Sequence, residues 1–316
     1  MTVRWGMLST AGIGRVVAAA LPGLFVAVAG RDAVRAAAYA AELGVPRSHG
    51  SYEELLADDE VDSVYVPLPV ALHTEWTLRA LRAGKHVLCE KPFAMTAADA
   101  TACFDAAEQA GRLCIEGLMW RHHPQTLLAQ RLVAEGAIGK LSFIRAALSV
   151  DVPPGDIRRT GKLGGGALLD LGCYCVSAIR MFGGEPVAMS AARVADPAEG
   201  ADGSDLRLAA TLTMPYDVLA QFDVALDFPR RDELELIGTA GKIVVPDPWI
   251  CSLGYVQLER QGTVERLPVE AANPYAVEFV AASRAIEAGS APLYGRADAV
   301  AQAAVLEALA KNQTTG

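Results

Sequence analysis

Val3-Arg4-Trp5-Gly6-Met7-Leu8-Ser9-Thr10-Ala11-Gly12-Ile13-Gly14 is the stretch whose reading decides the fold. Residues 3–8 form an apolar run short enough for a buried strand, and a helical pattern follows over 13–21. Small residues between the two let a backbone approach a pyrophosphate, whose charge sits at the helix N-terminus. The usual G-x-G-x-x-G is degraded: Ser9 and Ala11 occupy the first two glycine positions and Gly14 the third. Taken alone, the stretch reads equally well as an ordinary turn. Its surroundings tip the balance. Strands are expected over 24–29, 61–66, 86–89 and 112–116, with helices over 33–43, 73–82 and 97–110 between them. Such alternation implies a parallel sheet with helices on both faces, a Rossmann dinucleotide-binding domain over 1–121.

The pattern changes near Trp120. Helices are expected over 125–135 and 167–182, a strand over 140–150, and further strands over 187–194, 206–214, 218–226, 233–237, 242–245, 252–259 and 263–267. Leu206, Leu208, Ala210, Leu212 and Met214 alternate with Arg207, Ala209, Thr211 and Thr213, the period of a sheet covered on one face. The class is therefore α/β, with a second, α+β domain over 122–316 built on a large, mostly antiparallel open sheet. Helices over 275–288 and 298–311 close the chain, the last free to return to the first domain. The open face mixes Leu219, Ala225 and Ala209 with Gln221, Thr211 and Thr213, a composition suited to a homodimer or dimer of dimers.

A net charge of −9 over 316 residues, with no Lys/Arg run, speaks against a nucleic-acid partner. Residues 1–30 are apolar, but the first strand starts at Val3 and Arg15, Pro22 and Gly23 interrupt the run, so no removable leader is expected. No stretch reaches about 20 apolar residues, which argues against a membrane partner. The six cysteines (89, 103, 114, 173, 175, 251) show no pairing framework and read as reduced thiols of a cytoplasmic protein. The five histidines show no metal constellation.

The second strand ends in Ala29-Gly30-Arg31-Asp32. An acidic residue at that end would bind a ribose 2′-hydroxyl. Gly30 instead leaves room for a 2′-phosphate and Arg31 offers a guanidinium fork to hold it. These residues favour NADP over NAD, although a one-residue shift would make Asp32 the ribose ligand. The plainer alternative is that Arg31 and Asp32 simply start a solvated helix.

Gly84-Lys85-His86-Val87-Leu88-Cys89-Glu90-Lys91-Pro92 puts Lys91 at the carboxyl end of a parallel strand, the edge where ligands collect in open α/β sheets. Downstream, Gly164-Gly165-Gly166 precede Asp170 and Tyr174, which are four apart and share one face if the segment is α-helical. A tyrosine is a poor base unless a neighbouring cation favours its phenolate. A core aromatic and a helix-start carboxylate are the competing assignments.

Together with Pro69…His73 and Glu116-Gly117-Leu118-Met119-Trp120-Arg121, these motifs resemble the Gfo/Idh/MocA oxidoreductases over nearly the whole chain. The likeness is greatest to the NADP-dependent D-xylose 1-dehydrogenase and dihydrodiol dehydrogenase branch. The resemblance implies that Lys91, Tyr174 and Asp170 are catalytic. It implies a cofactor site drawn from Ser9, Thr10, Ala11, Gly12, Ile13, Arg31, Leu68, His73, Glu90, Lys91 and Arg121, and substrate contacts from Trp120, His122 and Arg158. The implied reaction is hydride exchange with a sugar-like cyclic polyol, D-xylose or D-glucose first. A trans-dihydrodiol or a sugar-nucleotide 3-ketone is the alternative substrate, and a non-catalytic NADP sensor the alternative class. Val70 stands where relatives usually carry Asn, and His122 where they often carry Phe.

Overall fold

The structure is a computed structural model in which residues 3–198, 203–311 and 313–315 are described; the domain ends at 1 and 316 lie outside them. The chain forms two compact units. One is Met1–Leu118 with Tyr275–Ala303, the other Met119–Pro274 with Ala304–Gly316. The chain thus divides after Leu118, not after 121, and the return to the first unit begins at Tyr275, ahead of the last helix.

In the first unit, β1 (Trp5–Leu8), α1 (Gly12–Ala20), β2 (Phe25–Ala29), α2 (Ala33–Leu43), β3 (Arg47–His49), α3 (Tyr52–Leu56), β4 (Ser63–Val66), α4 (His73–Arg82), β5 (His86–Glu90), α5 (Ala97–Ala110) and β6 (Cys114–Gly117) follow one another. The six strands are parallel in the order β3-β2-β1-β4-β5-β6. That is the doubly wound order, in which β1 and β4 mark the switch point where ligands bind. Every residue of β1 and β4 is buried, as covering by helices on both faces requires. Asp32, Ser51 and Thr96 cap the following helices through their side chains, and Gly44 and Gly111 end α2 and α5 in left-handed conformation. Trp5, Phe25 and Tyr65 pack on Phe279 from the returning segment at ring separations of 5.0, 5.9 and 5.3 Å. Trp5 Nε1 also donates to Ser283 Oγ at 3.0 Å. Those apolar contacts are why the segment joins this unit.

The second unit holds α6 (Pro124–Ala134), β7 (Leu141–Ser149), α7 (Cys173–Gly183) and β8 (Ala188–Ala195) to β14 (Thr263–Pro268). With Gln313–Thr315 they make a nine-stranded, mostly antiparallel sheet. Near its middle β7 pairs in parallel with β10 (Leu219–Ala225) and antiparallel with β11 (Arg231–Gly238). Strand β9 (Asp205–Thr213) alternates as its sequence requires, with Leu206, Leu208, Ala210 and Leu212 buried and Arg207, Ala209, Thr211 and Thr213 exposed. Residues 173–180 of α7 are all buried, and the helix packs against β7 and β10. One residue expected on the open face is not exposed: Ala225 is buried, in register between Ser149 and Arg207 beside the turn that carries Asp227 and Phe228. Leu219, by contrast, is 44% exposed. The sequence shows no membrane-length apolar run, yet the helical stretch Gly161–Gly183 does have that length and hydropathy. It serves as a core element, 72% buried in its most apolar window.

Candidate active site

The turn after β1 is held from inside. Ser9 Oγ donates to the Pro67 carbonyl at 3.0 Å and accepts the Ala11 N–H at 3.1 Å, so the hydroxyl ties the ends of β1 and β4 together. Tyr39 donates to the Ala11 carbonyl at 2.6 Å. The two glycines of the turn do different work. A Cβ at Gly14 would lie 2.4 Å from Met7 Sδ and 2.5 Å from the Tyr39 hydroxyl, so this glycine lets helix and strand close on each other. A Cβ at Gly12 would meet nothing within 4 Å. No side chain caps α1 and no acidic residue stands in its first turn. An exposed, uncapped helix start with an open glycine fits an anionic pyrophosphate.

At the end of β2, Asp32 Oδ1 accepts the Arg35 N–H at 2.8 Å as the cap of α2. One oxygen of the carboxylate is thereby engaged by the helix. Arg31 and Arg35 are both exposed, and both contribute to the electrostatic field at Tyr52. Arg35 Nη2 lies 3.5 Å from Thr10 Oγ1. Arg35 was missed in the sequence because its proximity to the turn depends on where α2 starts. Gly30 is packed more tightly than a roomy strand end implies: a Cβ there would sit 3.2 Å from Thr10 Cγ2 and 3.3 Å from Ala36 Cβ.

The ends of β4 and β5 meet through His73. Its Nε2 lies 2.7 Å from the Leu68 carbonyl oxygen and its Nδ1 2.9 Å from that of Pro92, with the ring fully buried. Burial, and to a lesser degree Lys91, pushes its pKa below the usual histidine value against the pull of those carbonyls. His73 therefore fastens the backbone next to Lys91. The Lys91–Pro92 bond is cis. Glu90 accepts the Tyr65 hydroxyl at 2.6 Å through Oε1 and the Lys91 N–H at 3.1 Å through Oε2. The acid is thus engaged in shaping the strand end.

In the second unit the glycine run is a steric requirement. A Cβ at Gly165 would fall 2.6 Å from Thr160 N and 2.7 Å from the Arg158 carbonyl oxygen, and Gly166 has φ +126°. Asp205 Oδ2 accepts the Leu168 N–H at 2.7 Å and so fixes the start of the helix from β9. The segment expected to be α-helical from 167 opens with a π-helical turn over Leu168–Gly172 before α7. Asp170 and Tyr174 therefore do not stack at the α-helical four-residue spacing, a break in periodicity common at functional sites.

The Tyr174 hydroxyl lies 3.8 Å from Met119 Sδ, and its ring lies 5.8 Å from that of Trp249. Trp249, which the sequence reading missed, donates to the Ala147 carbonyl at 3.1 Å and packs edge-on against Trp120 at 5.4 Å. Trp120 itself is wholly buried. Arg121 is 2% exposed and donates to Ser177 Oγ at 2.7 Å, an interior anchor in this unit. Burial and the neighbouring Arg121 push His122 down to about 4, leaving a neutral imidazole near pH 7. Arg158 pairs with Asp156 through both oxygens at 3.2 Å.

Residues 6–118 match the family model for the GFO/IDH/MocA oxidoreductases with an NAD-binding Rossmann fold, and residues 126–244 match that family's C-terminal domain. The chain belongs to the GFO/IDH/MocA family. Within it, a D-xylose 1-dehydrogenase (NADP(+)) of Haloferax volcanii is 35% identical, over 99% of this chain and 98% of that one. A dTDP-3,4-didehydro-2,6-dideoxy-alpha-D-glucose 3-reductase of Actinomadura kijaniata is 34% identical, over 90% and 86%. The crystal structure of a 3-ketoreductase from Actinomadura kijaniata, in complex with NADP and TDP-benzene, superposes with a TM-score of 0.91 at 31% identity, over 100% and 99% of the chains. Of the GFO/IDH/MocA motifs, the first unit carries the turn, Arg31, Leu68, His73, Glu90 and Lys91. The second carries Trp120, Arg121, His122, Arg158, Asp170 and Tyr174.

Proposed function

We propose that this chain is an NADP-dependent dehydrogenase acting on a secondary alcohol or hemiacetal of a sugar-like cyclic polyol, with D-xylose or D-glucose first. The observation that carries the cofactor choice is the end of β2, where Asp32 caps α2 while Arg31 and Arg35 are exposed, with Arg35 3.5 Å from Thr10. Two guanidinium groups suit a 2′-phosphate and have no counterpart on a bare ribose. The backbone at Ala11, Gly12 and Ile13 would take the pyrophosphate, and Lys91 the nicotinamide ribose. The choice of substrate is supported by full-length likeness to the xylose 1-dehydrogenase.

Bound NADP supplies the hydride acceptor, the redox part of the chemistry. The chain's own residues handle the proton and the geometry. Tyr174 takes the proton from the substrate hydroxyl. Asp170 orients the hydroxyl. A neutral His122 adds a polar contact without competing as a base.

Purified protein assayed with NAD and NADP against D-xylose, D-glucose, a trans-dihydrodiol and uncharged polyols tests this directly. Turnover with a free sugar and a clear NADP preference is expected. Reduction of neither cofactor with any of them would sink the free-sugar dehydrogenase assignment, and a further lack of NADPH oxidation with a sugar-nucleotide 3-ketone would favour a cofactor-binding sensor. The second assignment, reduction of a sugar-nucleotide 3-ketone, is favoured by the 3-ketoreductase likeness.

A further inference from the structure

Two arginines of the second unit are each already paired: Arg158, whose carbonyl accepts the Gly166 N–H at 2.8 Å just ahead of the helical segment that carries Asp170 and Tyr174, and Arg230. Arg158 engages Asp156 with Nε and Nη2, both at 3.2 Å. Arg230 engages Asp232 with Nε and Nη2 at 2.6 and 2.7 Å. Neither is remote from the chemistry: Asp170 acts electrostatically on Arg158, and Tyr174 and Asp247 act on Arg230. Asp247 accepts the Ser252 N–H and hydroxyl at 2.7 and 2.6 Å. The other arginines of this region are engaged as well, Arg159 with Asp196 and Arg121 with Ser177. Exposed Lys162 is a third cation on the Arg158 loop.

Resting on the sugar-oxidoreductase assignment above, we propose that the Arg158–Asp156 and Arg230–Asp232 pairs select an uncharged sugar and reject a nucleoside-diphosphate sugar. A guanidinium forked on a carboxylate keeps N–H groups on its other edge, and the carboxylate keeps free lone pairs. Such a pair offers donors and acceptors side by side, which suits a hydroxyl group that both gives and takes a hydrogen bond. A diphosphate has acceptors only and brings negative charge. It would have to compete for guanidinium groups already neutralised, in a field that includes Asp156, Asp170, Asp232 and Asp247. Like charges set against a ligand are an effective means of exclusion.

The probe is dTDP, with thymidine as the uncharged control, added to full-length protein at saturating NADP. Inhibition is measured against the free sugar, and calorimetry on the NADP-loaded protein measures binding independently of turnover. Wild-type protein should show no dTDP inhibition competitive with sugar and no heat of binding at micromolar concentrations. Asp232→Asn and Asp156→Asn each free a guanidinium and should strengthen dTDP binding about tenfold or more without strengthening thymidine binding, with the gain shrinking at high salt. Micromolar dTDP binding to wild-type protein would overturn the proposal, as would two Asp→Asn variants that bind dTDP no better than wild type. Failure of every free sugar to turn over would count against the activity assignment alone, since the calorimetric arm still decides diphosphate exclusion.

Discussion

Arg31 and Arg35 are four residues apart across the cap of α2, and between them they present the exposed positive charge at the end of β2. Arg31→Ala is expected to weaken NADP binding by about 1.5–3 kcal/mol, the range for hydrogen bonds to charged groups, and to leave NAD binding nearly unchanged. Arg35→Ala should do the same. Fluorescence titration with both cofactors checks this, and equal losses for NAD and NADP would remove the arginines from the 2′-phosphate site. Tyr174→Phe deletes one hydroxyl from a ring buried against Trp249, so fold and cofactor affinity should survive. Turnover should fall roughly 100-fold or more, the scale of general acid–base catalysis. Near-normal turnover would require another proton carrier, and His122, with a pKa pushed down to about 4, makes a weak one.

Among the elements, the turn between β1 and α1 separates packing from binding within three residues. Gly14→Ala forces a methyl group onto Met7 and Tyr39 and should lower stability by about 1–3 kcal/mol, the cost of overpacking. Gly12→Ala meets no neighbour in the chain, so its melting temperature should hold while NADP affinity falls. A Gly12→Ala protein that binds NADP normally would show that the pyrophosphate lies elsewhere. The sequence pattern exposed most of these elements because buried parallel strands are apolar runs and α2 and α5 stop at glycines. It did not expose β3 and α3: Arg47-Ser48-His49 is a polar edge strand without alternation, and α3 is only five residues long. The π-helical turn before Tyr174 left no trace either; its first N–H, that of Leu168, is held by Asp205 from a strand 37 residues downstream. The same limit applied to the site. Lys91, Tyr174 and Asp170 were named by motif, whereas Arg35, Trp249 and Arg230 depend on long-range placement.

For the whole molecule, the open sheet face of the second unit suggests association. Leu219 is 44% exposed there, in register with Thr213 on β9 and Phe143 on β7. Light scattering at micromolar concentration should give a mass of at least two chains, and Leu219→Lys should lower it. A monomeric wild-type protein would refute association without touching the catalytic assignment.

The first unit has another property, set by the order in which its parts are made. Trp5, Phe25 and Tyr65 emerge early from the ribosome, but the ring that covers them, Phe279, is more than 200 residues behind the nearest of them. At typical synthesis rates of about 5–20 residues per second, the dinucleotide-binding sheet would wait on the order of ten to forty seconds with that aromatic face uncovered. During that interval the nascent chain carries an adhesive patch that the finished protein lacks, which makes it a natural client for chaperones that hold apolar surfaces. A chain cut after residue 121 would keep the patch permanently, so it should aggregate although it contains all six strands of its sheet.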